Sequence, residues 1–201
     1  MSENPTPPSA ISPDLIAEAA RGKPEAQDRW FRADFPCVFR LCLGFLADAV
    51  AAEDLAQDAM LHLLDRLDRW NPTRPYEAWR NTVVLNLCRD SYRKSAVRQK
   101  AEDHLKLFPE VQHLPDPQDA ASAREVRSVI TAALAQLPPR EREAFVLRDL
   151  EHQKTSEVAD IMAINPATVR SLLTLARRRL RGILGPALAM DSRRCAGGSD
   201  V

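Results

Sequence analysis

Net charge is the first thing this chain of 201 residues lacks: 28 lysines and arginines are matched by 28 aspartates and glutamates. No basic field covers the whole molecule, so any nucleic-acid surface has to come from uneven placement of charge. The cysteines Cys37, Cys42, Cys88 and Cys195 form no C-x-x-C pair and the histidines are scattered, which argues against a zinc site and for reduced structural thiols in a cytosolic chain. No stretch approaches the roughly 20 apolar residues of a membrane span, and residues 1–13 lack the apolar core of a signal peptide. A cytoplasmic protein without membrane insertion is expected. Glycine is scarce and no run of alternating β-branched residues occurs, so the fold class is expected to be all-α. Paired carboxylates, a nucleophile with its base, and a phosphate loop are all missing from any plausible scaffold; neither an enzyme nor a bound cofactor is expected.

What is present is a strong pattern near the C-terminal end. Residues 156–162 spell a short helix with Val158, Ala159 and Ile161 inward, followed by a tight turn at Ala163, Ile164 and Asn165. Pro166 suits the first position of a second helix, where a missing N–H costs nothing, and Asn165 suits its cap. Along that helix Val169, Leu173, Ala176 and Leu180 recur on one face, while Arg170, Ser171, Thr174, Arg178 and Arg181 fall on the other. A docked apolar stripe with a free basic side is the arrangement of a helix-turn-helix whose second helix reads a major groove. An ordinary surface helix with a solvated basic face is the plainer alternative.

The preceding chain divides into two small helical domains. Residues 1–13 read as disordered. Helical pattern follows at 13–20 and again at 25–46, where Trp30, Phe31, Phe35, Val38, Phe39, Leu41, Cys42 and Phe45 mark core scaffold in one helix or a helix bent before Pro36. A helix over 52–70 carries a buried stripe of Leu55, Ala59, Leu63 and Leu67, flanked by Met60, Leu64 and Trp70. Its opposite face is acidic, Asp54, Gln57, Asp58, Leu61 and Asp65. Carboxylates near a helix start are favoured by the helix dipole, but an exposed Leu61 among them also fits a contact surface for a basic partner helix. The proline-stiffened loop 71–75 leads to a helix over 77–95 with Trp79, Val83, Val84 and Leu87 inward and Arg80, Asn86, Arg89, Asp90, Arg93 and Lys94 left for other surfaces. Basic residues interleaved with Trp70, Tyr76 and Trp79 satisfy the requirements of single-stranded DNA, cation for backbone and pocket for an unstacked base; core packing is the alternative for all three aromatics, and for Trp79 the favoured one. Residues 99–121 are acidic and proline-broken, a flexible linker. The second domain then starts near Ser122, with Val126, Val129, Ile130, Ala133 and Leu134 inward on its first helix, and Pro139 or Arg140 opening the next.

In order, the segments Ala52-Glu53-Asp54-Leu55-Ala56-Gln57-Asp58, Ala78-Trp79 with Asn86, Asp90 and Arg93 behind it, Leu137-Pro138-Pro139-Arg140-Glu141-Arg142-Glu143, Glu157-Val158-Ala159, Thr168-Val169-Arg170-Ser171 and Ala176-Arg177 resemble the extracytoplasmic-function (ECF) sigma factors, bacterial initiation subunits of RNA polymerase. The resemblance runs from Asp14 to Leu184. It implies a region 2-like domain over 14–98, a linker over 99–121 that threads toward the polymerase active centre, a region 4-like domain over 122–184, and a tail, 185–201, of unassigned role. It implies that Asp54, Gln57, Asp58 and Leu61 meet the clamp helices of the β′ subunit of core polymerase. Loop residues Asn71, Thr73, Arg74 and Tyr76, with Asn86, would capture a flipped base of the −10 promoter element, and Arg89, Asp90, Arg93 and Lys94 would hold the adjacent DNA. Thr168, Arg170, Ser171, Thr174, Arg177 and Arg178 would read the −35 element. An anti-sigma factor is a common partner in the family.

This chain departs from the family pattern in places. Leu172 and Leu175 stand where basic residues are usual, Leu175 on the DNA side by helical phase; Ala163 replaces the turn glycine; Arg80-Asn81-Thr82 after Trp79 is unusually polar; and Cys195 lies in a tail that matches nothing. Two further readings stay open at the level of sequence, a stand-alone helix-turn-helix regulator that dimerises on a palindrome and an adaptor that binds polymerase without reading DNA.

Overall fold

The computed structural model describes the backbone of residues 11–102 and 121–196 and the side chains of 11–94 and 128–184. The expected disordered start up to residue 10, linker residues 103–120 and the side chain of Cys195 lie outside that range. All regular structure among the described residues is helical, as the glycine-poor, 3.6-periodic sequence requires. They group into two compact units, one within Pro7–Thr131 and the other within Ala132–Val201.

In the first unit α1 (Pro13–Ala20) opens on Pro13 and is capped by Ser12, whose hydroxyl accepts from the Leu15 N–H at 3.2 Å. Gly22, at φ 80°, supplies the left-handed residue that turns the chain into α2 (Pro24–Leu46). This helix continues through Pro36, which sits on its exposed side, where the Arg32 carbonyl it orphans can reach water. Trp30, Val38, Leu41 and Cys42 on its inner face are fully buried against α1, α3 and α4. Phe31 is the exception to the expected core set, half-exposed and stacked on Phe35 at 5.4 Å between ring centroids.

Asp48 caps α3 (Ala49–Leu64), accepting from the N–H groups of Val50 and Ala51 at 3.0 and 3.1 Å. The single helix expected over 52–70 is corrected here. It ends at Leu64, and the chain tightens into a 3₁₀ turn, Leu67–Arg69, that swings Leu67 and Trp70 into the core beneath α1. The buried stripe is Ala52, Ala56, Ala59, Met60 and Leu63, with Leu55 and Leu64 only half-buried. Small alanines at the centre let α2 and α3 approach closely. The next helix, α4 (Tyr76–Glu102), buries Val84, Leu85 and Cys88, while Trp79, Val83 and Leu87 are half-buried at its margins.

In the second unit α5 (Ala121–Ala135) precedes α6 (Pro139–Phe145), a π-turn over Val146–Leu150, α7 (Thr155–Met162) and α8 (Pro166–Ala196). The unit boundary falls inside α5, beyond the expected start at residue 122. Val129 and Ile130, expected inward, are 42% and 39% exposed. Packing in this unit is that of α8 against α6 and α7, and α5 joins it through Ala133 and Leu134 in its last turn. Arg142 reaches back to accept-rich carbonyls there, its Nη2 donating to Leu137 O at 3.1 Å and Ala135 O at 3.3 Å. The helix-turn-helix is as expected, with Val169, Leu173, Ala176 and Leu180 all buried; each leucine contributes roughly 1.5–3 kcal/mol of burial. Backbone of α8 continues to Ala196, into the stretch expected to be a separate tail from 185.

Candidate functional site

Three exposed surfaces carry the chemistry that the sequence pointed to. On α3, Asp54, Gln57 and Asp58 project to solvent with Leu61, which is 60% exposed. Ala52, Ala56, Ala59 and Leu63 dock the opposite side of the same helix, and that fixes which way the acidic face points. Leu61 thus stands as an apolar side chain in water among carboxylates, on the side of α3 away from the packing.

The second surface is the loop between the 3₁₀ turn and α4. Asn71 shapes it, its Oδ1 accepting from the N–H of Thr73 at 3.0 Å and from its hydroxyl at 2.9 Å, while the Arg74 N–H donates to Asn71 O at 3.0 Å. This Asx turn presents Pro72, Thr73 and Arg74 outward. Two aromatic residues pin its ends. Trp70 donates its indole N–H to Arg74 O at 3.1 Å, and its ring meets Tyr76 edge-on at 5.8 Å. Tyr76 needs correction as a DNA contact: it is only 4% exposed, and its hydroxyl is spent inside the unit. Behind the loop, Asn86, Asp90 and Arg93 follow one another at helical spacing along the exposed face of α4, with Lys94 beside them and Arg89 half-buried. Asp90 and Arg93 form an exposed pair at 3.1 Å.

Beneath that loop lies a polar cluster that sequence reasoning missed. Arg80, expected on a surface, is buried and donates through Nη1 to Asp34 Oδ1 at 2.8 Å. Tyr76 donates its O–H to Asp34 Oδ2 at 2.6 Å and accepts from the Trp30 indole N–H at 2.9 Å. Burial and the adjacent Asp34 carboxylate push the Tyr76 phenol far above its ordinary range, so it stays protonated and donates. Arg80 Nε and Nη2 both donate to Asn81 Oδ1, at 3.1 and 3.0 Å, while Asn81 Nδ2 is buried without a partner among the described residues. Apolar replacement of such a buried ion pair is often neutral or stabilising by about 1–4 kcal/mol, so stability alone is a weak reason for it.

The third surface is α7–α8. Glu157 accepts from the Lys154 N–H at 2.8 Å to open α7, and Ala163 closes it in the left-handed conformation at φ 54°. Asn165 then caps α8 by accepting from the Ala167 N–H at 2.8 Å. Thr168, Arg170, Ser171, Thr174, Arg178 and Arg181 are all exposed. Leu172 and Leu175 are half-buried, so Leu175 is tucked against the fold more than its helical phase implied. Arg177 is exposed too, but it is held within its unit. Its fork is occupied by Asp149 of the π-turn, Nε to Oδ2 at 2.9 Å and Nη2 to Oδ1 at 2.6 Å, and those bonds hold its pKa above the ordinary arginine value. Nothing in the local sequence signals a partner 28 residues away. A second clamp, Arg179 Nε to Glu141 Oε2 at 3.0 Å, ties α8 to α6.

With a helix of Asp and Leu, a tryptophan-pinned loop and an arginine-bearing recognition helix in place, the matches to known proteins fall on the same segments. The family description "Sigma-70 region 2" matches residues 30–98, and "Sigma-70, region 4" matches residues 127–180. The probable RNA polymerase sigma factor RfaY of Xanthomonas campestris pv. campestris is 29% identical over 171 residues, 84% of this chain, and the chain spans 43% of RfaY. RNA polymerase sigma factor CnrH of Cupriavidus metallidurans is 27% identical over 176 residues, 85% of this chain and 92% of CnrH. Among solved structures, the sigma factor RpoE of Bartonella quintana, in complex with the anti-sigma factor NepR, superposes with a TM-score of 0.65 at 20% identity over 79% of this chain and 96% of RpoE, a likeness of fold. Region 2 and region 4 stand here in the family's order, and the chain belongs to the ECF sigma factors.

Proposed function

We propose that this chain binds core RNA polymerase and directs it to −35 and −10 promoter elements, opens the promoter, and starts transcription of a specific set of genes in the cytoplasm. Asp54, Gln57, Asp58 and Leu61 receive the clamp helices of the β′ subunit. Asn71, Thr73 and Arg74 with Asn86 accept a flipped −10 base, and Arg89, Asp90, Arg93 and Lys94 track the backbone beside it. Thr168, Arg170, Ser171, Thr174 and Arg178 read the −35 element, with Arg177 serving as a clamp. The chain supplies recognition and strand separation, and the polymerase supplies catalysis. An anti-sigma factor would silence it by covering the α3 face or the recognition helix.

The observation that carries this reading is Leu61, exposed in the middle of an acidic patch on the helix matched to region 2, in a chain whose other unit presents a basic recognition helix. The test is transcription in vitro over a promoter library, with core bacterial polymerase supplied with and without the chain. Transcripts that depend on the chain, with start sites that align on two shared elements, are the expected result. Absence of both transcripts and polymerase capture, with a host-matched polymerase, would overturn it.

A further inference from the structure

The Asn71 turn is tied at its C-terminal end to one carboxylate on a different helix, and its N-terminal end leans on that tie. Tyr76, which closes the loop and opens α4, donates to Asp34 Oδ2, and Arg80, one turn further on, donates to Asp34 Oδ1. Trp70, which opens the loop, leans its ring edge-on against Tyr76 and holds the Arg74 carbonyl. Trp30, one turn before Asp34 on α2, completes the set by donating to the Tyr76 hydroxyl. Both oxygens of Asp34 are therefore used, and used on successive turns of α4, which fixes the rotation and the axial position of that helix start relative to α2. An apolar contact would hold the two helices together equally well but would tolerate sliding. A two-point hydrogen-bonded carboxylate does not. The cluster also accepts a buried amide without a partner among the described residues, Asn81 Nδ2, a feature that fits placement better than maximal stability.

We infer that Asp34, Arg80 and Tyr76 form a positioning device that holds the 71–75 loop in the shape that accepts the flipped base, and so set the rate of promoter opening without touching DNA. The inference rests on the reading of that loop as the base-capture element. It separates three activities that a general defect would lower together. Polymerase binding belongs to the α3 face, duplex recognition to α8, and opening to the loop.

The test uses the full chain with core polymerase on a promoter recovered from the library, so that failure of the wild-type chain to initiate would reject the functional reading before any variant is compared. The double variant Asp34→Leu/Arg80→Met replaces the ion pair with apolar side chains. Opening is followed by 2-aminopurine fluorescence at the captured −10 position, on duplex promoter and on the same promoter with a pre-melted −10 segment. Expected is unchanged polymerase affinity, duplex opening slowed about tenfold or more, as for a misplacement of the order of 1 Å, and a much smaller defect on the pre-melted template. Opening at the wild-type rate would overturn the inference, and so would equal loss on both templates. Should the double variant fail to fold, Tyr76→Phe keeps the ring and the Asp34–Arg80 pair while cutting the loop's tie. Measurable slowing of duplex opening is again expected, and none would refute the role.

Discussion

Asp149 holds Arg177 of α8 in a two-bond clamp, and Asp149→Asn tests, with almost no change of shape, whether that clamp keeps Arg177 from the proposed DNA contact. In the wild-type chain the Arg177 guanidinium is held by two bonds of 2.9 and 2.6 Å, whereas Arg170, Arg178 and Arg181 have no ion-pair partner among the described residues. The Arg177 side chain is 51% exposed, so solvent screens the pair and its loss lowers stability by about 1 kcal/mol at most. The effect on DNA is larger in proportion. Each cation that reaches a phosphate contributes about −0.9 to the slope of log K against log salt, or about a 3.5-fold fall in affinity between 50 and 200 mM. Arg170→Ala or Arg178→Ala should therefore flatten the slope by about 0.9, Arg177→Ala should leave it nearly unchanged, and Asp149→Asn should steepen it by up to about 0.9 by releasing Arg177. Fluorescence anisotropy of the full chain on a labelled duplex, across a salt series, reads the wild-type slope and those of the four variants. If Arg177→Ala flattens the slope as much as Arg170→Ala does, and Asp149→Asn changes nothing, Arg177 trades its clamp for a phosphate on binding and the assignment made from the free structure is wrong.

The other predictions address the remaining surfaces and the fold. Asp58→Arg and Leu61→Ala should each weaken polymerase binding, Leu61→Ala by at least about 1 kcal/mol if it is a central contact, with stability within about 0.5 kcal/mol of wild type because both residues are exposed; a titration of core polymerase that shows no change would remove this face from the interface. Asn86→Ala should slow promoter opening more than it weakens duplex binding, and equal loss in the two assays would argue against base capture. Ala163→Gly should stabilise the second unit by up to about 1 kcal/mol, because a non-glycine residue at φ 54° carries about 1–2 kcal/mol of strain that the flexibility of glycine only partly offsets; a lower urea midpoint would contradict it. Tyr76 links stability to alkaline pH. Its folded pKa is raised, so its contribution is complete below the unfolded value of about 10 and declines as pH rises beyond it, by up to about 1.4 kcal/mol per pH unit. The stability gap between wild type and Tyr76→Phe should shrink from pH 10 upward in urea melts, and a constant gap would show that the phenol titrates normally.

What could be read from sequence, and what could not, follows from the range of the interactions. The stripe Val169, Leu173, Ala176 and Leu180, the Asn165 cap and the tight turn at Ala163 were legible because each depends on residues within a few positions of it. So was the outward acidic face of α3, once alanines 52, 56 and 59 are taken as the docked side. Leu67 misled because a 3₁₀ turn can continue the three-residue spacing of a helix that has already ended at Leu64. Val129 and Ile130 misled for the opposite reason: the periodicity is real, but burial requires a neighbour, and among the described side chains of α5 the buried ones are Ala133 and Leu134 in its last turn.

The hardest residues were those whose partners lie far along the chain. Tyr76 and Arg80 stand in a segment that reads as basic and aromatic, and both are hidden, because Asp34, 42 and 46 residues earlier, neutralises one and orients the other. The visible trace of this was that Arg80-Asn81-Thr82 is more polar than the family pattern, a local departure that made no sense locally. Such a residue invites assignment to a surface, since an unpaired guanidinium cannot be buried; the physics instead requires that its carboxylate be found. The search is then a short one, because an aspartate within a helix that otherwise presents Trp30, Val38, Leu41 and Cys42 to the core is as anomalous as the arginine it serves. Two misplaced polar residues in two apolar helix faces account for each other, and the place where they meet is the base of the 71–75 loop, the segment proposed to receive DNA.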